Sequence, residues 1–367
     1  MKHPGEPPNL NVLRRMNNDV GIIMHWPLLL YLCALQMLFV NIHSLDLSED
    51  DTAWKDLFEK SWPSYERWFS KEGLKARPGF LSSLLAFEAT FPELIHLYSN
   101  LCDLAGGSDL ASRFLSMYCP PPYMSGCSQV AWTKDQPALI RNYDYSPLFY
   151  EGVVMHTNWL KPVIGMSDCT WGLLDGINGD GLSASLTFGG RRITGLGFGI
   201  PLVIRYCLET CSTTQEAIQA LVKIPVHMAY NVTIMDKELN FATIYFVPGQ
   251  TNQVHYVPVG TNHQEEITWP DYAAMTRTVE RRTILEYAVM NPKEHYDTMV
   301  QKFLSPPLYN RAYEKAFGTL YTAAYLPDSN SVHYYWPGKQ LTQRIGDFKA
   351  GKMSVTLRAN ASKKMAL

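Results

Sequence analysis

One thiol in the sequence stands where nucleophilic chemistry is easily arranged. Ser125-Gly126-Cys127-Ser128 comes shortly after the run Cys119-Pro120-Pro121-Pro122 and opens the first of several strand-like segments. Consecutive prolines supply no N–H and hold the backbone extended, so no helix continues through them. Fourteen residues after the cysteine, Arg141-Asn142-Tyr143-Asp144 closes the second such segment. In an antiparallel hairpin the end of the second strand returns beside the start of the first. A cation and a carboxylate are thereby set next to Cys127. They are either partners of a reactive thiol or an ordinary strand-end ion pair. Gly126-Cys127 is likewise either a nucleophile junction or a tight turn.

The elements that must hold these groups follow from period and composition. From Trp54 to about Tyr118, apolar residues such as Trp54, Leu57, Phe58, Trp62 and Tyr65 recur at the helical step of three and four. Beyond the prolines, short runs of β-branched and aromatic residues at 129–132, 138–143, 153–159, 163–166 and 182–188 read as strands. The stretch 166–171 also reads as a strand with pocket-facing side chains. A helix is expected over 200–210. A second begins at Thr213, which has capping-box spacing to Glu216. Strands resume at 231–235, 241–247 and 253–257, a helix follows over 276–290, and a late hairpin turns at Pro327-Asp328-Ser329-Asn330. This alternation fits a layered α+β protein with two stacked antiparallel sheets between helices.

Four motifs occur in one order. They are the Gly126-Cys127 junction, the R-N-x-D of Arg141 to Asp144, Asn178-Gly179-Asp180-Gly181-Leu182 leading to Leu186-Thr187-Phe188-Gly189-Gly190, and Thr261-Asn262 followed by Thr276-Arg277. Together they resemble the N-terminal-nucleophile hydrolases of the isopenicillin-N acyltransferase-like family, relatives of choloylglycine hydrolase and the acid-ceramidase-like amidases. The resemblance implies a four-layer αββα sandwich behind a helical N-terminal prologue. It also implies a linear-amide hydrolase or acyltransferase that uses neither cofactor nor metal. Self-cleavage of the Gly126–Cys127 bond would free Cys127 as an N-terminal nucleophile. Arg141 and Asp144 would hold the thiol and its α-amino group, Asn262 would donate to the oxyanion, and Arg277 would tie the site together electrostatically. Relatives in the bile-salt branch carry Asn where this chain has Thr187, which leaves a backbone N–H there as the second oxyanion donor.

Elementary chemistry agrees with that scheme. A free thiol ionises near pH ~8.5 and an α-amino group near ~7.7–8.0. The amine of a new N-terminus can therefore take the thiol proton without a histidine. Arg141 would favour thiolate, and Asp144 would orient the amine. Two other readings stay open: a single-chain thiol hydrolase with His156, His227, His255 or His263 as base, and a silent ligand-binding protein of the same fold. Cys169 is a rival thiol without a base beside it. Arg277, Arg281 and Arg282, near Glu280 and Glu286, also read as a solvated helix face.

The expected substrate is a small-molecule amide or acyl-thioester, with Tyr143, Trp171 and Phe188 lining an apolar acyl pocket. With 32 basic against 34 acidic residues, there is no surplus of positive charge to recommend nucleic acid. The 46% hydrophobic content excludes disorder. The seven cysteines form no CxxC pair, which removes zinc-ribbon readings, and an odd, sparse set suits a reducing, cytoplasmic setting. The alternative is export or a membrane tether through residues 22–40, where Arg14-Arg15 precede the apolar run Pro27 to Val40. A translation start at Met37 is a third reading. The expected division is an N-terminal extension to residue 43, a helical pro-segment over 44–126, a catalytic domain over 127–350 and a tail over 351–367. Oligomeric state stays open.

Overall fold

The computed structural model describes residues 37–359 apart from Asp51 and Ala316. Strand β1 (Met37–Leu47) leads into a helical prologue: α1 (Thr52–Ser70), α2 (Phe80–Thr90), α3 (Ile95–Leu104) and α4 (Asp109–Leu115). The body then begins with β2 (Gly126–Trp132), β3 (Ala138–Tyr145), β4 (Val153–Asn158), β5 (Pro162–Asp168), β6 (Gly172–Asn178) and β7 (Ser183–Phe188). Helices α5 (Ile200–Thr210) and α6 (Thr214–Leu221) follow, then β8 (Tyr230–Met235), β9 (Phe241–Phe246), β10 (Gln253–His255) and β11 (Val259–Gly260). Three helices, α7 (Pro270–Thr276), α8 (Thr278–Met290) and α9 (Tyr296–Phe303), precede β12 (Gly318–Leu326), β13 (Ser331–Trp336), β14 (Lys339–Arg344) and β15 (Gly351–Arg358).

The strands form two stacked sheets. One has the order β10-β9-β8-β7-β6-β5-β4-β1-β15, the other β11-β2-β3-β12-β13-β14. Among the described strands, every pairing is antiparallel except that of β1 with β4. Helices α5 and α6 cover the outer face of the nine-stranded sheet, while α8 and α9 cover the six-stranded one. This is the expected αββα sandwich. Strands in its middle are buried on both faces, which is why β2 and β7 read as near-continuous buried runs rather than alternating ones.

Two faces of the β2–β3 hairpin set up everything that follows. Cys127 lies opposite Tyr143 and Gln129 opposite Arg141, so these four side chains share one face. That face meets the other sheet: Gln129 donates to Thr233 of β8 at 2.7 Å and accepts from Ser185 of β7 at 2.5 Å. The opposite face, with Val130, Trp132, Ala138 and Ile140, packs on Leu285, Ala288, Met299 and Phe303 of α8 and α9.

The prologue is docked onto the turn between β5 and β6 by two indoles. Trp54 donates to the carbonyl of Thr170 at 3.1 Å, and Trp171 to the carbonyl of Leu115 at 3.0 Å. Trp171, expected at the substrate pocket, is instead fully buried among core rings, with Phe87 at 6.3 Å. The stretch expected as a strand over 166–171 turns at Cys169 and Thr170, and β6 begins after it. The expected boundary at residue 43 falls inside β1, and the expected tail opens as β15, which pairs with β1 along its length. A short apolar run is compatible with either a leader or a strand, and pairing partners some 300 residues apart leave no mark on a local pattern. Residues 27–36 of the apolar run lie outside the described residues. Among the described residues, no helix is long and apolar enough to cross a membrane.

These contacts give Trp171 a purely structural weight. Trp171→Ala should lower unfolding free energy by about 3–5 kcal/mol, the usual range for emptying a buried aromatic site. Urea titration of the purified variant measures this.

Candidate active site

Cys127 is fully buried at the second position of β2, its side chain between the sheets. Its Sγ accepts from Nη2 of Arg141 at 3.2 Å and lies 3.7 Å from the Ser125 hydroxyl. Burial pushes the thiol above its ordinary value. Arg141 pulls against that, Asp144 adds to it, and the Ser125 hydroxyl and Arg281 oppose it. Arg141 in turn donates to the Leu174 carbonyl at 2.9 Å and is ion-paired with Asp175 of β6. Asp175 also accepts from the hydroxyls of Tyr321, at 2.5 Å, and Tyr325. Desolvation would loosen Arg141's proton, but Tyr321, Asp175 and the thiol more than offset it and hold the guanidinium charged.

The backbone around the junction is held as firmly as the thiol. The Cys127 N–H donates to Asn262 Oδ1 at 2.7 Å, and the Cys127 carbonyl accepts from Arg281 at 2.7 Å. Arg281 also donates to Ser128 Oγ at 2.8 Å and Asn262 Oδ1 at 2.7 Å, and its nearest carboxylate is Asp144 at 3.6 Å. Burial pushes Asp144 up to about 6, against Arg281, a hydrogen bond from Thr319 and the charge of Arg141. Two residues upstream, the Ser125 carbonyl accepts from Tyr272 at 2.5 Å and from Asn262 Nδ2 at 3.4 Å. Gly126 is required by space, since a Cβ there would lie 2.5 Å from the Phe317 ring and 3.1 Å from Asp144 Cβ.

The structure brings together four of the residues singled out from the sequence. Cys127, Arg141, Asp144 and Asn262 converge, but Arg141 and Asp144 are not a pair. Three positions apart on one strand, they point to opposite faces and take different partners. Thr187 supplies no donor to the centre: its hydroxyl donates to the Thr261 carbonyl at 3.0 Å and accepts from Asn231 at 3.2 Å, fixing the turn that carries Asn262. Gly190, at φ +71, lets that turn pass close by, because a Cβ would lie 2.4 Å from the Asn262 backbone carbonyl oxygen. Phe188 offers its carbonyl to Asn262 at 3.2 Å and its ring to Tyr272 at 5.2 Å.

Arg277 is the clear correction. It sits in left-handed conformation between α7 and α8, points outward, and pairs with Glu280 at 2.6 Å. The buried arginine is Arg281. Its signal was phase: Thr278, Arg281, Leu285 and Ala288 form the buried stripe of α8. Tyr272 carried no comparable signal. None of the four candidate histidines contacts Cys127. His263 is bonded to Thr278 at 2.9 Å and pushed down to about 4 by burial and the charges of Arg282 and Arg281. His156 is bonded to Asp46, and His227 to the Gly195 carbonyl. His255 packs against Tyr245.

A cavity of about 930 Å³ adjoins the centre, with Tyr143, the cross-strand neighbour of Cys127, in its wall. Tyr123, Tyr145, Trp68 and Phe149 add aromatic surface to it, and Asp168, Glu151 and Cys169 also line it. Among the described residues, no cluster of His, Cys, Asp and Glu has the make-up of a metal site.

A two-sheet sandwich between helices, with a glycine–cysteine junction held by buried arginines, is the architecture of the N-terminal-nucleophile fold. The model of the family described as acyl-coenzyme A:6-aminopenicillanic acid acyl-transferase matches residues 132–341, and the chain belongs to that family. The matched stretch begins just downstream of Cys127 and includes Arg141, Asp144, Asn262 and Arg281. No curated protein matches. Similar solved structures include penicillin V acylase from Agrobacterium tumefaciens, at 13% identity and TM-score 0.41, covering 62% of this chain and 90% of that one. A mutant of conjugated bile acid hydrolase from Clostridium perfringens has 12% identity, TM-score 0.43 and coverage of 64% and 97%. The Caenorhabditis elegans ortholog of N-acylethanolamine-hydrolyzing acid amidase has 18% identity, TM-score 0.42 and coverage of 55% and 92%.

The buried charges can be probed in two ways. Arg281→Ala takes the nearest cation from buried Asp144 and should cost about 3–5 kcal/mol. Arg277→Ala, losing an exposed pair, should cost no more than about 1 kcal/mol. Paired denaturation curves measure the difference. The other probe is Asp168, pushed up to about 8 by burial and by Glu151, itself raised by burial. Folding binds protons at such a pair, so its stabilisation is full below about pH 4, the unfolded value. It is lost as pH rises through about 8. The thermal midpoint should fall across that window, and Asp168→Asn should flatten the fall.

Proposed function

We propose that the chain is a self-processing cysteine amidohydrolase or acyltransferase that works through an acyl-Cys127 intermediate. The observation that carries this is the 3.2 Å contact from Arg141 to Cys127 Sγ at a junction whose N–H and carbonyl are separately held by Asn262 and Arg281. In the uncut chain the Cys127 nitrogen is an amide and cannot act as a base. Self-cleavage begins with attack of Sγ on the Gly126 carbonyl carbon. The C–N bond breaks as a thioester forms, and the nitrogen takes a proton to become an amine. Water then hydrolyses the thioester, leaving a Gly126 carboxylate and a free thiol.

The same thiol then serves the substrate. Its proton passes to the α-amine, Arg141 supports the thiolate, and the amine lies beside Asn262 Oδ1, with Asp144 on the neighbouring strand. Asn262 Nδ2 and the Tyr272 hydroxyl both point at the Ser125 carbonyl. When that segment leaves, the two donors face the space above the thiol and become the oxyanion donors. Loss of one such donor typically costs about 10²–10³ in kcat. Water as acceptor gives hydrolysis, and an amine gives acyl transfer.

Intact mass and N-terminal sequencing test the first step. Wild-type protein should yield a fragment beginning at Cys127, and Cys127→Ala should stay uncut. Cleavage of the alanine variant at the same bond would assign the cut to an external protease. A panel of acyl, aryl-acyl and peptidyl amides, with and without an amine acceptor, tests the second. Arg141→Ala and Tyr272→Phe should each lose at least about tenfold in kcat/KM.

A further inference from the structure

We propose that the inner wall of the 930 Å³ cavity is a seat for a protonated amine, formed by Asp168 and the rings of Tyr65, Trp68, Tyr143 and Tyr145, and that the amide substrate carries such an ammonium group. The second half rests on Cys127 being the nucleophile; the first does not.

The backbone goes to some length to put this carboxyl there. The pairing of β5 with β6 slips between Met166 and Ser167, and Cys169 and Thr170 follow with φ of 54 and 68. Bulges re-aim side chains, and successive non-glycine residues in left-handed conformation are strained states that cluster at functional sites. The result turns Asp168 and Cys169 into the cavity beside Glu151. Glu151 accepts from Ser167 at 2.7 Å, from the Thr170 N–H at 2.8 Å and from the Tyr65 hydroxyl. Asp168 accepts from Tyr65 at 3.5 Å. Every donor is neutral, and among the described residues no basic side chain is ion-paired with either carboxyl.

Glu151 and Asp168 are half-buried side by side without a countercharge, so the pair holds a proton until a cation takes its place, and an ammonium ion supplies that charge. Here the surrounding surface selects the ligand. Tyr65, Trp68, Tyr143 and Tyr145 present π-faces and edges around the acid, with Tyr65 against Trp68 at 6.2 Å and Tyr143 against Tyr145 at 5.8 Å. Aromatic faces with an adjacent carboxylate bind alkylammonium ions. An anion would be repelled, and an apolar group would leave the carboxyls desolvated. The more exposed lining is mainly basic, with His43, Lys60, Arg67, Lys71 and Lys352 against Asp56. Tyr143 joins the two regions, since its ring lies in the cavity wall, opposite Cys127 and under the Arg141 guanidinium at 5.1 Å.

The test is binding to the full chain, followed by calorimetry and intrinsic fluorescence. The probes are 2-phenylethylammonium, neutral 2-phenylethanol and anionic 3-phenylpropanoate. The ammonium alone should bind saturably, equally well in Cys127→Ala. Asp168→Asn should weaken it about ten- to a hundredfold, and Tyr145→Leu, which spares the acids, should weaken it severalfold. Equal binding of alcohol and ammonium, or unchanged affinity in both variants, overturns the seat. Among cleaved amides, those with a free amine should be preferred over their N-acetylated counterparts, and Asp168→Asn should drive that ratio toward one. If the ammonium binds but no amide is cleaved, the catalytic reading fails and the seat stands. If both kinds of amide are cleaved equally well, the substrate assignment fails and the catalytic reading stands.

Discussion

A guanidinium taken out of water must find both acceptors and a countercharge, and two of them bracket one short hairpin here. Arg141 lies between the sheets and draws in Asp175, the Leu174 carbonyl and, through Asp175, two tyrosines of β12. Arg281 comes from the helix side and draws in Asp144, Ser128, Asn262 and the carbonyl of Cys127 itself. Cys127 is thus positioned by groups that the interior cannot leave unpaired. Helix α8, the turn at Asn262 and the neighbouring sheet are all registered against it for the same reason.

What the sequence revealed of this arrangement depended on how local each signal was. The hairpin that brings Arg141 and Asp144 to Cys127 is short-range, and its strands, expected over 129–132 and 138–143, were placed to within three residues. Their spacing of three also carried the information that they face opposite ways, which rules out their being a pair. Arg281 was legible too, through its phase with Leu285 and Ala288, but charge composition on that helix suggested a solvated face and motif order favoured Arg277. Trp171 shows the other limit. An aromatic residue near a motif is as readily a core residue as a pocket residue, and only its indole bond to the Leu115 carbonyl, across 56 residues, tells which.

Several polar residues in the body act by holding other residues still. Thr187 and Asn231 share the Thr261 carbonyl, and Asn231 also reaches the His263 carbonyl at 3.1 Å. That is why a glycosylation-like Asn-Val-Thr lies buried in β8. With Gly190 pressed against the same turn, Asn262 has one available pose, and its two amide atoms are assigned different tasks by it: oxygen toward the Cys127 N–H and Arg281, nitrogen toward the chain just upstream.

The placement of β1 carries a consequence for what a cut at residue 126 would produce. This strand belongs to the upstream part of the chain, yet it lies between β4 and β15, both downstream, inside the nine-stranded sheet. The upstream helices are further riveted by Trp54 to the downstream Thr170 carbonyl, and the downstream Trp171 reaches back to Leu115. Breaking the peptide bond therefore divides the polypeptide without dividing the hydrogen-bond ladder. The two pieces of such a cut would remain a heterodimer whose dissociation is the same event as its unfolding.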